Sequence, residues 1–133
     1  MRIEKFVFGP VGTNCYIVIN EMTSECFAVD MADCPQEFVK HIKDAGLCVK
    51  ALLLTHGHFD HIGAIDELVE KYNCPVYIHQ DDYEMIYNDQ LNLSNYYGEL
   101  KIKSKVTAVD KNIDIGDFHF EFLHLPGHTI GSC

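Results

Sequence analysis

The chain has 133 residues, of which 47% are hydrophobic, and this size and composition suit one globular domain. Ten Lys and Arg residues against twenty Asp and Glu residues give a formal net charge of -10. A surface of that sign repels phosphate backbones, and the basic residues are scattered, so a nucleic-acid partner is disfavoured. No apolar run approaches membrane-spanning length, so no membrane partner is expected.

The cysteines and the amino terminus indicate the cellular compartment. Six cysteines, at positions 15, 26, 34, 48, 74 and 133, form no Cys-x-x-Cys pair. Residues 1–5 have no basic stretch followed by an apolar segment, so no secretory signal is visible. We therefore interpret the cysteines as reduced thiols and expect a cytoplasmic protein. The alternative is a disulfide framework in an exported protein.

Runs of β-branched and aromatic residues predict three strands in the first thirty positions. They cover residues 3–8, 15–19 and 26–29, and turn segments separate them. An antiparallel meander is the simplest arrangement. A helical pattern then opens at Pro35 and ends at Gly46. Its apolar face, which is expected to cover the sheet, contains Phe38, Val39, Ile42 and Ala45.

The middle of the chain predicts a strand, a helix and a further strand. Residues 49–54 form a nearly continuous apolar run, which is typical of a strand buried on both faces. After Gly63, apolar residues from Ile65 to Tyr72 recur at helical spacing, and residues 75–78 resemble another strand. This order indicates a parallel pairing with a crossover. The expected fold class is α/β or α+β, in layers.

The last third of the chain is less regular. Residues 80–87 predict a short helix, and residues 88–103 are either a lid over a site or a solvated connection. Strand patterns return at residues 106–109 and 118–123. The segment 110–117 joins them, and Gly116 in it suits a tight turn.

Four side chains of the kind that bind metals lie within six positions directly after the apolar run. They are His56, His58, Asp60 and His61, in the segment THGHFDHIG at residues 55–63. Neutral imidazole is a preferred ligand of zinc and its first-row neighbours, and a carboxylate adds a harder oxygen donor. Without a metal these imidazoles would crowd one loop and repel one another when protonated. The other histidines of the first 124 residues are interpreted as ordinary core or surface residues: His41, His79, His119 and His124.

Three separated segments carry a resemblance to a known family. They are HGHFDH at residues 56–61, PGHTIGS at residues 126–132, and GTNCY at residues 12–16. The chain resembles the metallo-β-lactamase superfamily, and within it the branch related to hydroxyacylglutathione hydrolase, or glyoxalase II. The resemblance implies a four-layer αβ/βα sandwich, of which this chain supplies the amino-terminal half and a little more.

The resemblance also implies that the sequence is one partial domain over residues 1–133. Family members of this branch continue past the second motif, adding an aspartate that bridges two metals and a further histidine. A sheet face without its covering layer exposes more apolar area than the few hundred Å² that monomers usually tolerate. We therefore expect a fragment of a longer protein or, as the alternative, self-association that covers the exposed face.

By position, the resemblance implies that His56, His58 and His128 hold one metal, while Asp60 and His61 face a second. The implied cofactor is Zn²⁺, one or two ions, with iron or manganese as alternatives. Three imidazoles leave a fourth position for water, and zinc lowers the pKa of that water from about 15.7 to about 7. Asp60 is the expected catalytic residue, because it would orient the attacking hydroxide and assist proton transfer.

The sequence and the resemblance leave three functions as alternatives. The first is a zinc-dependent hydrolase of a thioester or a similar small activated acyl compound. The second is an oxidoreductase that resembles the mononuclear-iron persulfide dioxygenases. The third is a catalytically incomplete metal-binding fragment that needs its carboxyl-terminal half or a partner chain.

Overall fold

Six strands form the central sheet of the computed structural model, which describes residues 1–133. In chain order and in spatial order they are β1 Arg2–Phe8, β2 Thr13–Ile19, β3 Glu25–Val29, β4 Cys48–Leu53, β5 Val76–His79 and β6 Val106–Val109. The first three pair antiparallel, which confirms the predicted meander. The pairs β3–β4, β4–β5 and β5–β6 are parallel, which confirms the predicted crossover.

Five helical segments connect these strands. They are α1 Gln36–Asp44, α2 Phe59–Ile62, α3 Ile65–Tyr72 and two 3-10 helices, Gln80–Tyr87 and Ser94–Tyr96. The predictions for the segments that became α1, α3 and the first 3-10 helix are confirmed, whereas α2 was not predicted. None of the helices combines the length and the apolar character that crossing a lipid bilayer requires.

The bounds of α1 correct the sequence analysis in two places. Pro35 does not open the helix but precedes it as the N-cap residue, with an extended ψ of 152°. Ala45, assigned to the apolar face, is the exposed C-cap residue, and Gly46 after it takes the left-handed conformation with a φ of +63°. Phe38 and Ile42 are the buried residues of this helix.

The main hydrophobic core lies between one face of the sheet and helices α1 and α3. Phe38 and Leu68, one from each helix, are fully buried there with Ile17 of β2 and Leu52 of β4. The Phe38 ring meets that of Phe6 edge-on, at a centroid distance of 5.7 Å. The apolar residues that recur at helical spacing in α1 and α3 therefore face the sheet.

The opposite face of the sheet carries a smaller apolar layer. A hairpin of β7 Asn112–Ile115 and β8 Phe118–Glu121 packs there. The rings of Phe118 and Phe120 each lie 4.7 Å from that of Phe27 in β3. On β4, Leu53 faces this layer and Leu52 faces the main core, as the alternation of a strand requires. The prediction that this strand is buried on both faces is confirmed.

The hairpin also corrects the prediction for residues 110–117. This segment is not only a connection, because four of its residues form β7. Ile113 and Ile115 pack on the sheet, whereas Asn112 and Asp114 are exposed. An alternation of only four residues is a weak signal, and the polar residues concealed it. Gly116 does make the predicted turn, with a φ of +60°.

Two residues of the segment 88–103 contact Phe59 at the start of α2. Asn92 is fully buried, its carbonyl accepts from the amide of Phe59 at 2.8 Å, and its side chain donates to the Met85 carbonyl at 3.0 Å. Tyr97 is exposed but stacks on the Phe59 ring at 4.3 Å. Most residues of the segment are exposed, as a solvated connection requires, and only Asn92, Ser94 and Ile102 are buried. The lid stays a prediction.

Removing the ring of Phe38 is expected to destabilise the fold strongly. Phe38→Ala leaves a cavity between α1 and the sheet, and such substitutions cost about 3–5 kcal/mol. Urea denaturation followed by circular dichroism measures the free energy of unfolding. Tyr96→Ala is the control, because Tyr96 is 77% exposed, and a change within about 0.5 kcal/mol is expected for it. Equal losses in the two variants would contradict the assigned core.

Candidate metal centre

The candidate centre lies at the carboxyl end of β4, where the strand passes into the loop of residues 54–58. The β-ladder continues one residue beyond the strand, since the amide of Leu54 donates to the Tyr77 carbonyl at 3.0 Å. His56, Gly57 and His58 follow, and His58 is the extended residue that precedes α2. The carboxyl edge of parallel strands is where α/β sheets usually bind ligands.

Three imidazoles, His56, His58 and His128, converge on one point. Each contributes one nitrogen atom, and the three nitrogens lie within 4.8 Å of one another. Nδ1 of His58 is 2.9 Å from Nε2 of His128. The three ring centroids are 4.6 to 4.8 Å apart, and the rings are steeply inclined to one another. The structure thus brings together two residues of the first motif and one that follows 70 positions later.

Burial and the neighbouring imidazoles lower the pKa values of His56 and His58, which favours their neutral forms. Burial, followed by the neighbouring His61 and His58, lowers the pKa of His56 from 6.5 to about 4. Burial, followed by His128, also lowers the pKa of His58. Neutral imidazole is the form that donates a lone pair to a metal. Nε2 of His56 is buried and has no hydrogen-bond partner in the chain, which is costly unless something else occupies it.

Asp60 and His61 lie beside the three imidazoles but belong to no three-ligand cluster. Oδ2 of Asp60 accepts the hydroxyl proton of Thr13 at 2.6 Å and lies 3.3 Å from Nε2 of His61. The His61 ring is 3.9 Å from that of His56. Two ligand-type side chains therefore adjoin the three-histidine cluster on one side.

Asp30, which was not predicted from the sequence, hydrogen-bonds to the loop of residues 54–58. It follows β3, has a left-handed φ of +55°, and is 5% exposed. Its carboxylate accepts from the backbone amide of Thr55 at 2.8 Å and from the Thr55 hydroxyl at 2.7 Å. Oδ2 also lies 3.2 Å from Nδ1 of His61, but the two atoms are not aligned for a hydrogen bond. A carboxylate just after a strand parallel to β4 was the available signal.

His41 and His119, which were interpreted as ordinary residues, each contact a carboxylate outside the cluster. Nε2 of His41 lies 2.6 Å from a carboxylate oxygen of Glu4, and Nδ1 of His119 lies 2.7 Å from one of Asp114.

His79 and His124 stack on each other near Asp81, with centroids 4.2 Å apart and planes inclined by only 14°. A metal must lie near the plane of every imidazole that binds it. Two rings stacked face to face share no such point, so this second group does not suit one cation.

Short hydrogen bonds shape the loop that carries His128. The amide of Leu125 donates to the Ser132 carbonyl at 2.7 Å, which closes the loop at its base. Nε2 of His124 lies 2.7 Å from the Ile130 carbonyl. The amide of Cys133 donates to the Thr55 carbonyl at 3.1 Å, which attaches the loop to the residue before His56. Backbone hydrogen bonds therefore close the loop that carries His128 and attach it to the residue before His56.

Comparison with known proteins agrees with this arrangement. The family model described as "Metallo-beta-lactamase superfamily" matches residues 8–133, which is most of the chain. The chain belongs to the metallo-β-lactamase superfamily. The layered fold with its histidine-bearing loop at the carboxyl end of β4 is the fold of that superfamily.

Two sequence relatives span nearly the whole chain. "Probable metallo-hydrolase YqgX" of Bacillus subtilis is 36% identical over 136 residues, covering 99% of this chain and 64% of that protein. "Hydroxyacylglutathione hydrolase GloC" of Haemophilus influenzae is 25% identical, covering 98% of this chain and 64% of that protein. The chain thus spans about two thirds of the length of the relatives that it matches.

Two solved structures show the same fold at about 30% identity. BLEG-1, a B3 metallo-β-lactamase, superimposes with a TM-score of 0.88 at 30% identity, over 98% of this chain and 65% of that one. TTHA1623 in a di-iron-bound form superimposes with a TM-score of 0.80 at 31% identity, over 97% of this chain and 64% of that one. The predicted superfamily and fold are thereby confirmed, and superfamily membership supports a metal-dependent hydrolase.

Replacing the Asp30 carboxylate is expected to weaken the support of the histidine loop. Asp30→Asn keeps a residue type that tolerates a left-handed backbone, but it removes the charge and one acceptor oxygen from the two Thr55 donors. We expect the free energy of unfolding to fall by about 1–3 kcal/mol in urea denaturation with EDTA present. Asp114→Asn, in an exposed ion pair, is expected to change it by less than about 0.5 kcal/mol. Indistinguishable variants would contradict the role of Asp30.

Proposed function

We propose that the chain is the metal-binding part of a hydrolase that cleaves a thioester or a similar small activated acyl compound. The observation that carries the proposal is the convergence of one nitrogen each from His56, His58 and His128. Relatives that bear the descriptions metallo-hydrolase and hydroxyacylglutathione hydrolase support the reaction class. The chain covers about two thirds of their length, so the activity proposed is that of the whole catalytic unit.

The residues present fit a first-row metal ion. Nitrogen ligands about 2.0–2.1 Å from a tetrahedral zinc lie roughly 3.3 Å from one another. In this cluster all three nitrogens lie within 4.8 Å of one another, and the pair from His58 and His128 is 2.9 Å apart. His56 Nε2, buried and unpaired in the chain, gains a partner when a cation binds. We propose zinc as the native metal, with iron as the competitor because a relative of known structure carries two irons. A bound zinc supplies a Lewis acid and a water acidic enough to be deprotonated near neutral pH.

Asp60 is proposed as the catalytic residue that orients the attacking water. Thr13 fixes Oδ2 by a hydrogen bond of 2.6 Å, which limits rotation of the carboxylate. Oδ1 of Asp60 is then free to accept a hydrogen bond from the water and to receive its proton. With His61 at 3.3 Å, Asp60 also offers ligands for a second metal ion, which needs further donors to be complete.

The charge of the chain favours a small substrate. With a formal net charge of -10, the surface repels polyanions. A small acyl compound is repelled less than a polyanion is. The free cysteines suit a reducing compartment, and we propose the cytoplasm. Leu123 and Leu125 are exposed apolar residues. We propose that further chain or a second copy of this chain covers them.

The histidine cluster is tested by metal binding. His58→Ala removes a proposed ligand and is expected to weaken the binding of Zn²⁺ by at least about 100-fold in a competition titration. His41→Ala is the matched control, because His41 of α1 contacts Glu4 of β1 and no residue of the cluster, and unchanged binding is expected. Elemental analysis of protein purified without added metal identifies the native ion. Equal metal loss in the two variants would exclude the assigned ligands, and iron with oxygen consumption would favour the oxidoreductase.

The reaction is tested with a series of thioesters. The zinc-loaded chain is assayed alone and as a fusion to the part of the Bacillus relative that this chain does not cover, about a third of that protein. We expect thioester hydrolysis in the fusion and a 10²- to 10⁴-fold lower kcat in its Asp60→Asn variant, on the order expected for a general base. Asp114→Asn is the control. Hydrolysis in the fusion alone supports an incomplete site in the chain, and no hydrolysis of any thioester or ester in either form contradicts the proposal.

A further inference from the structure

Asp82 is a fully buried carboxylate whose hydrogen bonds all leave its own helix. It lies in the first turn of the 3-10 helix Gln80–Tyr87, and its exposure is 0%. Oδ2 accepts from the amide of Gly57 at 3.1 Å and from the hydroxyl of Thr129 at 2.6 Å. Oδ1 accepts from the amide of Gly131 at 2.7 Å. The three donors belong to two loops that are about seventy residues apart in sequence.

These donors lie next to the three imidazoles. Gly57 separates His56 from His58, and Thr129 directly follows His128. A single carboxylate oxygen thus joins the peptide between two of the imidazoles to the residue after the third. The loops also contact each other directly, since Nδ1 of His58 lies 2.9 Å from Nε2 of His128 and the Cys133 thiol donates to the Thr55 carbonyl at 3.4 Å. Asp82 differs from these groups because it lies outside both loops and hydrogen-bonds to each.

Two glycines permit this close approach. A Cβ at Gly131 would lie 2.6 Å from the backbone nitrogen of Asp82 and 2.8 Å from its Cγ. A Cβ at Gly57 would lie 2.7 Å from Cβ of Met85 and 3.3 Å from the Asp82 carbonyl oxygen. Both loops are therefore drawn against the same turn of the 3-10 helix, at distances that only glycine allows.

A carboxylate is costly to bury, so the hydrogen bonds of Asp82 are necessary for its position in the fold. An ionised group removed from water is strongly destabilising unless hydrogen bonds replace its hydration. Three donors satisfy Asp82, and apolar packing of this turn alone would not require a charge. The amide of Cys133 bonds to the Thr55 carbonyl and provides a second attachment of the His128 loop, but that contact does not reach Gly57 or His58.

We infer that Asp82 is a positioning residue, which holds the two loops at the separation that lets His56, His58 and His128 bind one metal ion. This inference rests on the proposed function, because the positioning is for the metal. Residues that orient metal ligands typically change metal affinity by about 10- to 100-fold when they are replaced. A carboxylate that joins the supporting peptides acts in the same way, through the geometry of the ligands.

Co²⁺ is the probe for this role, because its visible absorption reports the number and arrangement of its ligands. Asp82→Asn turns one acceptor oxygen into a donor that faces a donor, and we expect Co²⁺ binding to weaken about 10- to 100-fold with an altered spectrum. Thr129→Val removes one bond and should show a smaller effect of the same sign, which Thr129→Ser should avoid by keeping the hydroxyl. Glu84→Gln, an exposed change on the same 3-10 helix, should bind like the parent.

The outcomes separate this inference from the proposed function. Circular dichroism and urea unfolding with EDTA first establish that each variant is folded, and Thr129→Val remains as the test if Asp82→Asn is not. A folded Asp82→Asn or Thr129→Val variant with the parental Co²⁺ affinity and spectrum overturns the positioning role and leaves the proposed function intact, even if the variant is less stable. A parent chain that binds neither Co²⁺ nor Zn²⁺ overturns both.

Discussion

The parallel pairing of β3, β4 and β5 is the constraint on which the candidate centre depends. Val29 pairs with Leu53, and Leu53 pairs with Tyr77, so the three strands end at one edge of the sheet. The residues after the strands, Asp30 and Asp82 among them, therefore meet the loop that carries His56 and His58. Backbone hydrogen bonding of the sheet thus determines which polar side chains become neighbours, although they are far apart in sequence.

Two buried carboxylates hold the histidine loop from opposite ends. Asp30 binds the amide and hydroxyl of Thr55, just before His56, and Asp82 binds the amide of Gly57, just after it. Both carboxylates add negative charge close to imidazoles that burial keeps neutral. An assembly of neutral nitrogens with anionic neighbours is electrostatically suited to a cation, so support of the loop and attraction of the metal come from the same groups.

Local patterns in the sequence predicted most of the fold, and non-local contacts explain what they missed. The strands of the main sheet and helices α1 and α3 are rich in apolar or β-branched residues, a signal that can be recognised without knowledge of their partners. Two of the four residues of β7 are polar, and the segment becomes a strand by pairing with β8. Asp30 and Asp82 were missed for a related reason, because an aspartate that follows a strand is informative only when the neighbours of that strand in the sheet are known. The histidine motif was visible because four potential ligands are adjacent in sequence.

The position of His128 depends on packing at the other face of the sheet. This residue follows the β7–β8 hairpin, which is held by the rings of Phe118 and Phe120 on Phe27. The chain then returns to the carboxyl edge, where the amide of Cys133 reaches the Thr55 carbonyl. Burial of aromatic surface in the hairpin therefore offsets part of the entropy lost when a distant histidine is brought to the other two. The second apolar layer thus contributes to the position of one residue of the candidate centre, His128.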